Sequence, residues 1–161
     1  MDDKVSMTTQ YIPTVAIETQ GCKLNQADSQ LLIREFTEAG YLNVLPSSVA
    51  DVYVLNSCTV THIADRKARQ SMRAMRRRNP EALVVVTGCY AERVPSEVSR
   101  IEGVDVVYGN NDKQRLVQQV SALRGHLPVP CSVGEELQWQ ATSNRTRAMI
   151  KIQEGCDQVC A

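Results

Sequence analysis

The sequence predicts an α/β protein: an open parallel sheet with helices on both faces. Short β-branched runs alternate with longer stretches of helical periodicity, the pattern of strand–helix–strand crossovers. The 161 residues suit one domain of ordinary size, which needs no metal or disulfide merely to hold its fold. At 43% apolar and 22% charged the composition is globular, and with only 4% aromatics the core must be aliphatic.

The elements follow in order. Residues 14–19 (TVAIET) read as the first strand. Gly21-Cys22-Lys23-Leu24 is the turn after it, with Asn25 as the expected N-cap of the next helix. Ala27, Leu31, Leu32, Phe36 and Ala39 recur at helical spacing, and Gly40 supplies the stop. Residues 51–56 (DVYVLN) form the second strand and Ser57-Cys58 its turn. A helix is expected over 61–78, ended by Asn79-Pro80. Residues 83–87 (LVVVT) form the third strand, the most buried by composition. Gly88-Cys89-Tyr90 is the next turn, and a helix starts near Pro95. A fourth strand covers 104–108, closed by Gly109-Asn110-Asn111, and a helix covers 112–123 before Gly125.

The pattern breaks at His126. Residues 126–146 contain Pro128, Pro130 and Gly134 with little periodicity, and read as a linker. Residues 147–152 (RAMIKI) read as a new strand leading into Cys156 and Cys160. A strand and turn followed at once by the last residue predict the N-terminal part of a longer chain. No apolar run approaches the roughly 18–20 residues of a membrane helix, and the N-terminus lacks the basic and apolar regions of a signal peptide. A cytoplasmic setting is therefore expected, where cysteines more often serve as ligands or catalysts than as disulfides.

Cys22, Cys58 and Cys89 each follow a predicted strand. Ligands of open parallel sheets bind beyond the carboxyl ends of the strands, so three such turns can bring three thiolates together. Gly21 and Gly88, directly before two of them, permit close backbone approach. The plainer alternative is three small buried core residues. Structural zinc wants four protein ligands, and His62 near Cys58 keeps zinc open. A [4Fe–4S] cluster held by three thiolates leaves one iron for exogenous chemistry. Cys131, in the linker, is left unassigned. Cys156-x-x-x-Cys160 alone is half a metal site, a dithiol or chance.

Taken together, Gly21-Cys22-Lys23-Leu24-Asn25, Asn56-Ser57-Cys58-Thr59-Val60-Thr61, Thr87-Gly88-Cys89-Tyr90-Ala91 and Lys151-Ile152-Gln153-Glu154-Gly155-Cys156 resemble the radical SAM methylthiotransferases. The likeness begins near residue 13 and runs through most of the chain. It implies that residues 1–125 are a flavodoxin-like methylthiotransferase N-terminal domain, in which Cys22, Cys58 and Cys89 hold an auxiliary [4Fe–4S] cluster for sulfur transfer. It implies that residues 147–161 start a radical SAM domain, with Cys156 and Cys160 as the first two of three cysteines for a second [4Fe–4S] cluster. The third position falls beyond Ala161, so the chain as given is expected to be inactive alone. The implied partners are S-adenosyl-L-methionine, tRNA, an electron donor and a sulfur source, with no membrane. Two of the turns look most like the branch that methylthiolates C2 of N6-threonylcarbamoyladenosine at tRNA position 37. The alternatives are isopentenyladenosine tRNA, ribosomal protein S12, or a non-catalytic zinc-bearing RNA-binding module. An unactivated aromatic C–H yields to no side-chain base near neutral pH, so a cofactor must supply the radical chemistry, and no general base is named. A nucleotide-binding flavodoxin is disfavoured because no turn is a Gly-x-Gly-x-x-Gly loop.

The zero net charge hides a gradient. Residues 1–60 carry 3 bases and 7 acids, and residues 61–125 carry 12 bases and 7 acids. Seven bases fall between Arg66 and Arg78 with no acid among them. On the predicted helix Ala64, Ala68, Met72 and Met75 share one face, and Arg66, Arg69, Arg73, Arg76 and Arg77 cluster opposite. Arginine suits phosphate, so this face reads either as a tRNA contact or as a solvated surface whose bases pair elsewhere.

Overall fold

A computed structural model describes residues 11–58 and 62–125. Five strands form one all-parallel sheet in the order β2-β1-β3-β4-β5. They are β1 (Thr14–Gln20), β2 (Leu42–Val44), β3 (Val52–Ser57), β4 (Leu83–Gly88) and β5 (Val106–Val107). The helices are α1 (Lys23–Glu38), α2 (His62–Arg78), α3 (Cys89–Arg93), α4 (Pro95–Val98) and α5 (Lys113–Leu123), the last entered through a 3-10 turn at Asn110–Asp112. This strand order is the flavodoxin-like one, with its topological switch point between β1 and β3. The expected fold class is therefore met.

Alternation along the strands divides the core. Ala16, Tyr53, Leu55, Val84 and Val86 face Ala68, Met72 and Met75 of α2 and the short α3 and α4. Val15, Ile17, Val52, Val54 and Val85 face Leu32 and Phe36 of α1 and Leu116 and Val120 of α5. Helices thus cover both faces, as parallel strands require. Asp51 pins the starts of β1 and β3 together, accepting from the Thr14 amide at 2.8 Å, from Thr14 Oγ1 at 2.6 Å and from the Tyr11 hydroxyl.

Several expectations need correction. The most buried strand is β3, not the third predicted strand, β4: every β3 residue is buried, whereas Leu83 is partly open. Position decides this, because β3 is the middle strand of five. The edge strand β2 was not expected, since three residues carry no readable period. Asn25 is not the N-cap of α1; Cys22 occupies that position and Asn25 is buried inside the helix. Leu31 is 53% exposed, and the buried stripe of α1 is Asn25, Asp28, Ser29, Leu32 and Phe36. Polar residues occupy its first turns because they face one another rather than oil. Cys89 opens the short helix α3 directly instead of sitting in a loop. The expected linker over 126–146, the strand over 147–152, Cys131, Cys156 and Cys160 lie outside the described residues.

Candidate metal centre at the carboxyl edge of the sheet

Register places the three cysteine turns side by side. Gln20 of β1 pairs with Ser57 of β3, and Ser57 pairs with Gly88 of β4. Cys22, Cys58 and Cys89 follow that row by one or two residues, on three adjacent strands spaced about 4.8 Å apart. Cys22 is exposed, Cys58 and Cys89 are partly buried, and all three are free thiols.

Two glycines bring the turns into contact. Gly21 has φ +135°, and a Cβ there would collide with Cβ of Cys58. Gly88 has φ +96°, and a Cβ there would strike the Ser57 carbonyl and lie 2.6 Å from Asn56 Oδ1. Both positions require glycine on two grounds, the left-handed backbone and the lack of room. The Cys58 amide also donates to the Gln20 carbonyl at 2.8 Å, continuing the ladder past the end of β3.

A buried polar layer supports these turns. Asn25 Nδ2 donates to Asn56 Oδ1 at 3.0 Å. Asn56 Nδ2 donates to the Asn25 carbonyl at 2.9 Å and to Ser29 Oγ at 3.0 Å. Thr19 Oγ1 donates to Ser29 Oγ at 2.7 Å. The Cys22 thiol donates to Asn25 Oδ1 at 3.1 Å, which joins the first cysteine to the layer. Lys113, the first residue of α5, forms a 2.6 Å ion pair with Asp28 of α1, the two side chains being 12% and 7% exposed. Asp28, Ser29 and Lys113 escaped the sequence analysis. For Asp28 and Ser29 the signal was their spacing with Asn25, Leu32 and Phe36, one helical face that begins polar and continues apolar, and Lys113 had none.

Burial pushes the Cys89 thiol above its ordinary range, the nearby Cys58 adds to the rise, the Lys113 ammonium opposes it, and Cys22 raises it further. The three sulfurs therefore share one electrostatic neighbourhood. Among the described residues no three His, Cys, Asp or Glu side chains converge closely enough to hold a single metal ion. A cubane iron–sulfur cluster spreads its thiolate ligands farther apart than one ion does. Three soft donors on one sheet edge, with glycine backbones packed beneath them, fit such a group. Ser57 Oγ and Thr87 Oγ1, within two residues of Cys58 and Cys89 in the chain, are buried without a hydrogen-bond partner among the described residues. Such orphaned hydroxyls are costly unless an acceptor arrives.

The α2 face is partly as expected. Ala68, Met72 and Met75 are fully buried and Ala64 partly so. Arg76 departs from the predicted basic cluster: it pairs with Asp105 at 2.5 Å and donates to the carbonyls of Pro80 and Ala82. An open groove runs along the rest, its described walls being His62, Arg66, Arg69, Gln70, Arg73 and Arg77.

Residues 14–109 match the group described as Uncharacterized protein family UPF0004, and the chain belongs to that family. It is similar to the threonylcarbamoyladenosine tRNA methylthiotransferase MtaB of Bacillus subtilis (strain 168), 41% identical over 155 residues, covering 91% of this chain and 34% of the relative. The MtaB of Aquifex aeolicus (strain VF5) is 40% identical, with coverage of 91% and 38%. The tRNA-2-methylthio-N(6)-dimethylallyladenosine synthase of Chloroherpeton thalassium (strain ATCC 35110 / GB-78) is 30% identical, with coverage of 91% and 35%. The chain thus spans about a third of the length of these relatives. The expected kinship with methylthiotransferases is met. Among the described residues no helix is long and apolar enough to cross a membrane.

Proposed function

We propose that this chain is the cluster-bearing N-terminal part of a radical SAM tRNA methylthiotransferase, and that Cys22, Cys58 and Cys89 hold its auxiliary [4Fe–4S] cluster. The observation that carries the reading is the register: three cysteine turns in one row at the carboxyl edge of adjacent strands. When bound, a cluster with three protein ligands supplies an open iron at which sulfur for transfer can be held. The chain's own contribution is to fix the three thiolates. Gly21 and Gly88 set the close approach of their turns, and the Asn25–Asn56–Ser29 layer holds the first two turns together.

Residues 1–125 form this unit in the proposal, residues 126–146 a linker, and residues 147–161 the start of a radical SAM domain. Cys156 and Cys160 would there contribute to the cluster that binds S-adenosyl-L-methionine. The reading calls for tRNA as substrate, an electron donor, a sulfur source and a cytoplasmic setting. Threonylcarbamoyladenosine is the favoured target, supported by relatives of that name at 41% and 40% identity against 30% for the dimethylallyladenosine enzyme.

Anaerobic reconstitution with iron and sulfide tests the site. About four irons per chain are expected at this cluster, with its EPR signal, lost in C22A, C58A and C89A and kept in a Cys156/Cys160 double variant. Iron retained in all three single variants overturns the ligand assignment. Stoichiometric zinc in the purified protein, with no iron taken up, supports a zinc-bearing RNA-binding module instead.

A further inference from the structure

The arginines of α2 divide into two groups. Arg76 is tied to Asp105, and Arg78 donates to the Pro46 carbonyl at 2.8 Å with its guanidinium 5.7 Å from the centre of the Tyr53 ring. These two serve the fold. Arg66, Arg73 and Arg77 are exposed and have no acidic partner among the described residues. Arg69 is partly committed, through a 3.4 Å contact to Glu97 and a side-chain hydrogen bond with Tyr90, and its side chain is about half exposed.

These side chains are not scattered. At 100° per residue, His62, Arg66, Arg69, Gln70, Arg73 and Arg77 fall within about 100° of arc, and they wall one groove. Like charges three, four and seven residues apart on one helix repel and weaken it. Among the described residues Arg66, Arg73 and Arg77 make no ion pair that would offset this. Their line extends for about 22 Å at 1.5 Å per residue. It starts at His62, four residues after Cys58, so it leads away from the cysteine edge.

We propose that this face of α2 is a track for the phosphodiester backbone of an RNA, which it guides toward the cysteine edge; the inference deepens the functional proposal above and rests on it. Every cation on the line is arginine, whose planar fork donates two hydrogen bonds to a phosphate. The guanidinium groups recur about once per 5.4 Å helical turn, a repeat suited to a regularly charged strand more than to an irregular acidic protein surface. The contact carries register but no base specificity.

The test uses the full 161-residue chain, reconstituted with iron and sulfide, and an unmodified tRNA transcript followed by fluorescence anisotropy across a salt series. The triple variant R66Q/R73Q/R77Q should lower the slope of log K against log salt by about two to three, at roughly 0.7–0.9 per phosphate contact. Its affinity at 50 mM salt should fall on the order of 10²–10³-fold. R66K/R73K/R77K should keep the slope, and R34Q, on the opposite helical layer, should change neither quantity. An unchanged slope in the Gln triple overturns the proposal. So does loss of solubility or a change in self-association with RNA affinity intact, since that marks a protein-facing surface. Iron content separates the two claims. Normal iron with no effect on RNA removes only the track, whereas absent iron with the expected slope change removes only the cluster.

Discussion

Gly88 carries two constraints at one residue. Its φ of +96° lies where L side chains are strained, and the space a Cβ would need is taken by the Ser57 carbonyl and Asn56 Oδ1. Gly88→Ala should cost at least about 2 kcal/mol, since neither the backbone angle nor the neighbouring strand can give cheaply. Urea unfolding with the m-value held constant measures it. Cys89, the next residue, shows what the edge does to charge. Its thiol is raised by burial first and by Cys58 second. In the metal-free protein its alkylation should therefore lag that of an unstructured thiol at pH 8.5, and the gap should narrow at higher pH. A raised acid pKa stabilises the folded state below the unfolded value, near 8.5, and that contribution is lost as pH rises through the folded value. Stability of the metal-free chain should thus fall above about pH 8.5, and C89A should flatten the fall. Metal loading, which removes the proton, should release acid.

At the scale of elements, the Lys113–Asp28 pair joins α5 to α1 on one side of the sheet. Both groups are nearly buried, so neutralising one leaves the other charge stranded. Asp28→Asn should destabilise by about 3 kcal/mol, roughly 6–12 °C in Tm for a chain of this size. Differential scanning calorimetry reads this, and a loss below about 1 kcal/mol would show that the pair is dispensable. The pair also explains why α1 begins polar. Asn25, Asp28 and Ser29 lie on the buried face because what they meet there is polar, Asn56 for Asn25 and Ser29 and Lys113 for Asp28. Periodicity of apolar residues pointed instead to Ala27 and Leu31, and Leu31 faces solvent. On α2 the same method succeeded, since Ala68, Met72 and Met75 meet an apolar sheet face.

At the scale of the whole molecule, two apolar layers among the described residues hold the sheet, and neither includes Cys22, Cys58 or Cys89. The three thiols sit at one end, exposed or partly so. The chain should therefore fold without the proposed cluster: C22S/C58S/C89S should keep the far-UV CD spectrum and a Tm within about 4 °C of the metal-free parent. Collapse of that variant would make the cluster part of the fold. Sequence alone determined the α/β class, four of the five described strands, the long helices, and a cysteine just past the end of three strands. These are local matters of period, turn chemistry and composition. It also marked the arginine-rich face, because one helix sets that arrangement by itself. Tertiary structure alone decided that β3 is the central strand, that Arg76 serves the fold while Arg73 meets no acidic partner among the described residues, and that Gln20, Ser57 and Gly88 stand in one row. The reason is that strand order and register come from contacts between segments far apart in the chain, which no local period encodes.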